Sequence, residues 1–330
     1  MITRLLVEQA GPLTTIQDGG RRGLMRFGVP HSGPVDRLAF AAAQTVLGNP
    51  ADAAAVELSL GGLTLACRSG EAAFALAGGD FAAELDGVAL GPWTVGRLTA
   101  GARLRIRAGE AGNWAYLALA GHLRTPTWLG SAATHLLAGL GGGILATGDK
   151  LEVQASGTDV QPGPMPRPDL LLGPARIVLG PQDRFFPPEA LAILTSDGFS
   201  ATARFDRMGL QLDGPKLVPT ALDMLSEPAV RGGLQVNGTG GLTLLLADHQ
   251  TTGGYPKIAT MLAADADRIA QLRPGAAIRF IALTQMEAVA AARHEHAEAA
   301  AYLARLVGNR ETLDARLGRL NLVDGVIAPD

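Results

Sequence analysis

Residues 61–65 read Gly-Gly-Leu-Thr-Leu, and residues 240–244 read the same five letters. The dipeptide Gln17-Asp18 precedes the first copy, and Gln182-Asp183 precedes the second copy. Self-similarity in a fixed order indicates an internal repeat. The alternative is that the pentapeptide only marks a common turn leading into a strand, but a third match in the same order favours a duplicated chain.

The third match pairs residues 98–106 with residues 272–280 and predicts strands. In both segments a Gly-Ala turn is followed by apolar residues that alternate with arginine, as in a strand with one face in water. The 43 glycines and 20 prolines of the chain suit many short strands and turns. The sequence therefore predicts a mainly β protein with two domains, 1–165 and 166–330, joined near the proline-rich stretch 156–169.

Two segments have the pattern of helices. Apolar residues recur with a helical period over residues 35–47, where Gly33 can cap the helix, Pro34 fits its first position and Gly48 ends it. The Ala-rich residues 286–307 are helical by propensity. We therefore expect a few helices, including one near the C-terminus, on a scaffold of strands.

Composition excludes several classes of partner. The chain has 330 residues, 47% of them hydrophobic, a formal net charge of -3 and no basic run, which disfavours nucleic acid binding. Cys67 is the only cysteine, so no internal disulfide can form, as expected in a reducing compartment. No apolar run has membrane-spanning length, and the first residues lack the form of a signal peptide. We expect a cytoplasmic protein without membrane contact.

The first half contains one polar, glycine-rich segment, residues 14–36. Its glycines let backbone N–H groups approach a ligand, the predicted helix N-terminus suits a carboxylate or phosphate, and its arginines add charge-assisted contacts. The alternative is a glycine-shaped loop with an ordinary helix cap. The candidate binding residues of this segment are Gln17, Asp18, Arg21, Arg26, Ser32 and Gly33.

The second half has a polar loop after an apolar strand. Residues 248–255 read Asp-His-Gln-Thr-Thr-Gly-Gly-Tyr, and the neutral donors and acceptors among them suit an amide or urea-like group. The alternative is a polar hairpin turn. The candidate binding residues of this half are Arg207, Gln235, Gln250, Thr251, Thr252, Gly253, Gly254 and Tyr255.

Other patterns predict no site. His31, Ser32 and Asp36 supply the letters of a catalytic triad, but His31 and Ser32 are adjacent, whereas triad side chains converge in space. His294 and His296 point to different faces of the predicted helix, which disfavours a shared metal ion. No lysine lies in a phosphate-binding loop or between methionines, as an attachment lysine for biotin would be expected to. We therefore predict no metal site and no covalent biotin.

These motifs resemble the KipA family, also described as the C-type subunit of 5-oxoprolinase, allophanate hydrolase subunit 2 or biotin-dependent carboxyltransferase. The resemblance extends from residue 1 to about residue 285. The segments that carry it are residues 15–18, 28–36, 47–50, 57–62, 206–209, 233–236 and 248–255.

The resemblance implies two tandem cyclophilin-like β-barrel domains, in agreement with the duplication. It also implies two partners, a KipI-like B-type subunit of 5-oxoprolinase and an A-type subunit of the LamB/YcsF kind. The implied reaction is the ATP-dependent opening of 5-oxo-L-proline, a small cyclic amide, to L-glutamate. ATP would bind in the complex, at a site that the sequence does not locate.

In that reaction the arginines of the first loop would hold the substrate anion, and the second loop would hold the lactam. The candidate catalytic residues are Asp36, Glu57 and His31, with Asp36 or Glu57 as general base. Two alternatives stay open. One is a biotin-dependent carboxyltransferase acting on urea or a related amide, because a ureido group is chemically close to a lactam. The other is a binding or regulatory subunit without chemistry of its own.

Overall fold

The structure is a computed structural model that describes residues 2–157, 160–169, 171–221 and 224–308. It is mainly β, which confirms the predicted fold class. The helices are α1 (Arg37–Leu47), α2 (Pro188–Ser196), α3 (Ala263–Ala270) and α4 (Gln285–Gly308), and two short 3-10 helices span Met25–Phe27 and Asp183–Phe185. The strands are β1 (Ile2–Ala10), β2 (Thr15–Gln17), β3 (Ala55–Leu58), β4 (Leu63–Ser69), β5 (Glu71–Ala77), β6 (Ala82–Leu85), β7 (Val88–Gly91), β8 (Thr94–Thr99), β9 (Arg103–Arg107), β10 (Ala115–Leu119), β11 (Gly121–Arg124), β12 (Lys150–Ala155), β13 (Gly163–Pro164), β14 (Ala175–Leu179), β15 (Phe199–Phe205), β16 (Gly209–Asp213), β17 (Glu227–Pro228), β18 (Gly233–Val236), β19 (Leu242–Leu245), β20 (Thr252–Gly253), β21 (Lys257–Met261), β22 (Ala277–Ile278) and β23 (Phe280–Ala282).

Two antiparallel sheets enclose the core of the first half. One has seven strands in the order β11-β12-β1-β4-β9-β6-β7, and the other has six in the order β13-β8-β5-β10-β3-β2. Leu65 and Leu104 of the first sheet share a core with Val56 and Phe74 of the second, and all four side chains are fully buried. Inward-facing residues of both sheets thus fill a single interior, as in a closed or sandwich-like β architecture.

One sheet of eight strands forms most of the second half, in the order β22-β15-β16-β19-β18-β21-β14-β23, beside a small sheet of β17 and β20. Its pairs are antiparallel except for the parallel pair of β14 with β23. Apolar residues of this sheet, α2 and α3 form a second core, which also contains Val35 and Trp114 of the first half. The two halves therefore meet through packed side chains.

Both copies of Gly-Gly-Leu-Thr-Leu lead into strands. Leu63 and Leu65 of β4 and Leu242 and Leu244 of β19 are buried, so the repeated leucines face the two cores. In β9 the apolar side chains are buried and the intervening arginines are exposed, as the sequence predicts. The domain limits at residues 165 and 166 stay a prediction, and the part of 166–330 beyond residue 308 lies outside the described residues.

The proline-rich stretch expected to be an extended linker is partly an edge strand. Gly163 and Pro164 pair with Val95 and Thr94 of β8, and Met165 is buried. A sheet edge accepts proline because no neighbouring strand needs the N–H that proline lacks. This stretch is therefore held against the first half.

Helix α1 begins later than its apolar pattern predicts. Asp36, and not Gly33, is the N-cap, and its carboxylate accepts a hydrogen bond from the backbone N–H three residues later at 3.0 Å. Gly33 lies in the preceding loop with a left-handed φ of 80°. The carbonyls of Pro34 and Val35 accept hydrogen bonds from Arg231, which draws this part of the chain out of the helix. The predicted end at Gly48 is correct.

The predicted C-terminal helix is present as α4, and it contacts both halves. Tyr302 and Leu306 are buried in one apolar cluster with residues of α1, and the Tyr302 hydroxyl donates to the carbonyl of Pro166 at 2.8 Å. Glu295 forms an ion pair with Arg176 of β14. Among the described residues, no helix combines the length and apolar character that a membrane span requires.

Candidate functional site

A fully buried arginine, Arg207, lies where the halves meet. Its guanidinium donates to Glu57 of β3, to both carboxylate oxygens of Asp248 at 3.0 Å, and to the carbonyl of Gly33 at 2.7 Å. Burial alone would lower the pKa of Arg207, but the two carboxylates raise it above its ordinary value. A buried charge needs such partners because it is removed from water. Arg207 therefore joins the two halves by electrostatic contacts.

The carboxylate of Glu57 has partners at both oxygens. Besides Arg207, it accepts hydrogen bonds from the backbone N–H of Val35 at 3.0 Å and from the Tyr116 hydroxyl at 2.8 Å. The structure thus places Glu57 inside the junction network. Its role as general base stays a prediction, and that role would require Glu57 to leave one of these partners.

A second ion-pair group lies at the start of α1. Asp267 of α3 accepts hydrogen bonds from Arg37 at 2.8 Å and from Arg231 at 2.8 Å. Nearby, the Asp36 carboxylate accepts a hydrogen bond from Gln271 at 2.8 Å. Burial raises the pKa of Asp36 to about 6, and the Asp267 carboxylate adds to the increase. Such a pKa lies close to neutral pH, which suits a group that exchanges protons.

Three predicted residues of the first loop support a neighbouring segment of the chain. Arg21 donates to the carbonyl of Trp128 at 2.9 Å and lies 4.9 Å from the centre of its ring. Asp18 accepts hydrogen bonds from Ser131 Oγ and from the N–H of Ala132, both at 2.6 Å. Gln17 donates to the carbonyl of Thr134 at 3.1 Å. These side chains hold residues 128–134, and Leu136 just beyond them donates its N–H to Asp248.

His31 and Ser32 lie close to Arg21, whose backbone N–H donates to the carbonyl of His31 at 2.7 Å. Nε2 of His31 is buried and has no hydrogen-bond partner among the described residues. Burial lowers the pKa of His31, as do Arg22, Arg231 and other nearby cations, so the neutral ring predominates near pH 7. Ser32 is buried and has a left-handed φ of 55°, a conformation that strains a residue with a side chain. Arg26 is exposed, 4.7 Å from the ring of Phe27.

In the second half, two glutamine amides pair with each other. Gln250 Nε2 donates to Gln235 Oε1 at 3.0 Å, and Gln235 Nε2 donates to the carbonyl of Tyr255 at 3.2 Å. A Cβ atom on Gly253 would lie only 2.9 Å from Gln235 Nε2, so glycine leaves the room that the pair occupies. Thr252 and Gly254 are exposed, Thr251 is partly buried, and the Tyr255 side chain is 50% exposed.

The glutamine pair opens onto a cavity of about 390 Å³. Its polar lining consists of Arg204, Asp206, Gln211, Gln235, Thr243 and Gln250. The residues on both sides of Arg207 in the sequence line the cavity, so it lies next to the junction network. Phe205 in its wall stacks edge to face with Trp114 of the first half, at 5.9 Å between ring centres.

The structure therefore separates the predicted residues into groups. Arg207 contacts both Glu57 and the carbonyl of Gly33, and Asp36 is linked to Glu57 through the Tyr116 hydroxyl. Gln235 and Gln250 line the cavity. Sequence reasoning missed Asp267, Arg231 and Lys257 because each is a single charged residue outside any motif. Asp248 could be identified in the sequence because it is a charged residue directly after an apolar strand. Within the part of the chain that the structure describes, no group of three or more His, Cys, Asp or Glu side chains is placed to hold a metal ion.

Comparison with known proteins shows which family the chain is similar to. The model of the carboxyltransferase domain, subdomain A and B, matches residues 27–282. The chain is 35% identical over 293 residues to the C-type subunit of 5-oxoprolinase from Escherichia coli (strain K12), which covers 87% of this chain and 94% of that protein. The solved structure of TTHA0988 aligns with 85% of this chain at 34% identity and a TM-score of 0.78, and the alignment spans 56% of that chain.

A second solved structure, the urea carboxylase of Kluyveromyces lactis, aligns with 94% of this chain at a TM-score of 0.81 and 25% identity. The aligned part is 30% of that longer chain. The family match, the near full-length similarity to a C-type 5-oxoprolinase subunit and the shared fold agree with the motif resemblance. The chain therefore belongs to the carboxyltransferase family of subdomains A and B, the family that includes the C-type subunit of 5-oxoprolinase.

Proposed function

We propose that this protein is the C-type subunit of an ATP-dependent 5-oxoprolinase complex and that the cyclic amide binds in the cavity of the second half. The observation that carries the proposal is the Gln235–Gln250 pair, which lines a cavity beside the buried Arg207 network. The similarity to the corresponding E. coli 5-oxoprolinase subunit supports it, because the alignment covers 94% of that protein.

The glutamine pair has the chemistry to bind a lactam. A lactam ring presents one carbonyl acceptor and one N–H donor, and each glutamine amide offers both a donor and an acceptor. Gln250 Nε2 donates to Gln235 Oε1 at 3.0 Å, so these two groups satisfy each other. A lactam can replace this bond with one contact to each glutamine, without leaving a buried polar group unpaired.

Of the three predicted catalytic residues, we propose His31 as the proton-transfer group. Asp36 caps α1 and Glu57 contacts Arg207, whereas Nε2 of His31 is buried without a partner among the described residues. The neutral ring can accept a proton near pH 7. His31 also lies close enough to His249, the residue before Gln250, for the charge of one ring to lower the pKa of the other.

The protein would act in the cytoplasm with a KipI-like B-type subunit and an A-type subunit of the LamB/YcsF kind, and ATP would bind in the assembled complex. Co-expression of the three subunits allows a direct test. We expect ADP release and glutamate formation that depend on 5-oxo-L-proline. Gln250→Ala should lower turnover in an intact complex, whereas Gln154→Ala, at an exposed position of β12, should not. An assembled complex whose ADP release ignores 5-oxo-L-proline would rule the proposal out.

A second candidate is a carboxyltransferase that acts on urea or a related amide. The TM-score of 0.81 to a urea carboxylase favours it, and the same glutamine pair can bind a ureido group. Formation of carboxylated urea from carboxybiotin and urea by the purified protein would support this candidate.

Loss of complex assembly in Gln250→Ala would instead indicate a binding subunit whose cavity contacts a partner.

A further inference from the structure

Lys257 at the start of β21 is a buried cation without a partner among the described residues. Its side chain is 1% exposed, and no hydrogen-bond acceptor in the described ranges contacts Nζ. The charge of the Glu227 carboxylate raises the pKa of Lys257, but this carboxylate already accepts a hydrogen bond from Gln182 and pairs with Arg184. Burial of an unpaired ammonium group is unfavourable, so a lysine in this position is suited to an anionic ligand.

Strand register places Lys257 next to the cavity. Gln211, Thr243, Gln235 and Lys257 are paired in turn across the adjacent strands β16, β19, β18 and β21, and the first three line the cavity. A Cβ atom on Gly233 would lie 3.7 Å from Cδ of Lys257 and 3.5 Å from Cδ1 of Leu245, another residue of the cavity wall. The pairing of β18 with β21 has a register shift between Leu234 and Gln235, and beyond it Lys257 lies beside Gln235. Lys257 is therefore next to this polar row at its buried end, behind the residues that line the cavity.

We propose that Lys257 binds a carboxylate of the substrate, so that this site selects small amides that carry a carboxylate over neutral amides. The proposal rests on the function proposed above, in which Gln235 and Gln250 bind the amide. Side chains paired on neighbouring strands have Cβ atoms about 5 Å apart, which matches a molecule whose carboxylate is bonded to the carbon next to the amide nitrogen. Burial lowers the pKa of Lys257. A bound anion opposes this effect because it stabilises the charged amine.

Three ligands distinguish binding of the amide by the glutamine pair from binding of the carboxylate by Lys257. 5-Oxo-L-proline has the lactam and the carboxylate, its primary amide has the lactam and a neutral group, and 2-pyrrolidone has the lactam alone. Calorimetry on the assembled complex without nucleotide should show that 5-oxo-L-proline binds at least about tenfold more tightly than the other two, as expected for one charge-assisted hydrogen bond. Lys257→Met should remove this preference and leave 2-pyrrolidone binding unchanged.

The matched control is Lys150→Met, which changes an exposed lysine of β12 and should keep the preference for the carboxylate. Lys257→Arg keeps the charge and should retain part of it. If Lys257→Met does not fold, Lys257→Gln takes its place as the uncharged variant and is measured with the same three ligands. Equal binding of all three ligands, or an unchanged preference in Lys257→Met, overturns the role of Lys257 and leaves the cavity as an amide site. No binding of any lactam overturns both proposals.

Discussion

Asp36 has two structural contacts that tie its charge to the fold. One oxygen of its carboxylate caps α1, and the other accepts a hydrogen bond from Gln271 of the second half. Both contacts favour the ionised form, yet burial and the neighbouring Asp267 outweigh them and raise the pKa to about 6. The folded protein therefore holds this proton over a pH range in which the unfolded chain has released it.

This difference predicts a measurable pH dependence. A folded-state pKa above the ordinary value of 3.8 means that stability falls as pH rises from about 4 to about 6 and then becomes constant. Asp36→Asn can still cap the helix and cannot titrate. The free energy of unfolding in urea is measured for both proteins from pH 4 to pH 7. As pH rises from about 4 to about 6, the value for the unmodified protein should fall relative to the value for Asp36→Asn. Asp52→Asn, at an exposed position, should show no such change, and a constant difference for Asp36→Asn would contradict the shift.

Only some of the candidate site residues could be identified from the sequence. Gln250 could be named as a candidate ligand contact because it lies in a polar loop, and Gln235 because it is a further polar residue upstream of that loop. That the two amides pair and line one cavity is a finding of the structure. Lys257 lies two residues after the loop 248–255 but could not be assigned, because its position beside Gln235 depends on strand register, which no local pattern predicts. Gln17 and Asp18 also lie in a polar segment of the sequence, but their side chains bind backbone groups of residues 132–134.

At the scale of elements, α1 is covered on two sides. It packs on the second sheet of the first half, and α4 covers it from outside, so that Phe40 and Gln44 are buried together with the predicted apolar positions. The helical period predicted α1, and the helix propensity of an Ala-rich segment predicted α4. Their contact could not be predicted, because the two helices are separated by most of the chain.

Removing one α4 side chain tests this contact. Leu306 is fully buried, and Leu306→Ala should lower the free energy of unfolding by about 2–5 kcal/mol, the usual cost of such a change in a core. The neighbouring Val307 is 43% exposed, and Val307→Ala should cost far less. Urea unfolding followed by circular dichroism measures both. Equal effects of the two variants would show that α4 does not stabilise the protein through α1.

At the scale of the whole molecule, the two halves depend on Arg207. The duplication predicted related strands in each half, but a repeat says nothing about how its copies are oriented. That orientation follows from single contacts such as Arg207 with Glu57 and Gly33, which link residues more than a hundred positions apart.

Arg207→Met should leave two buried carboxylates without their cation. We expect a loss of about 3–5 kcal/mol in the free energy of unfolding, as for other broken buried ion pairs. Adding Glu57→Gln and Asp248→Asn to this variant should restore part of the loss, because neutral amides do not repel each other. Arg279→Met, at an exposed position, is the control for loss of an arginine. An Arg207→Met protein as stable as this control would show that the junction does not need the charge.

The position of α4 has a consequence for how the protein is made. Residues 37–47 leave the ribosome early, but the helix that covers them ends at residue 308. At ordinary rates of synthesis the nascent chain exposes that face of α1 for a time on the order of tens of seconds. The first half can form its sheets during translation, but it acquires its complete outer layer only after residues 285–308 have been synthesised.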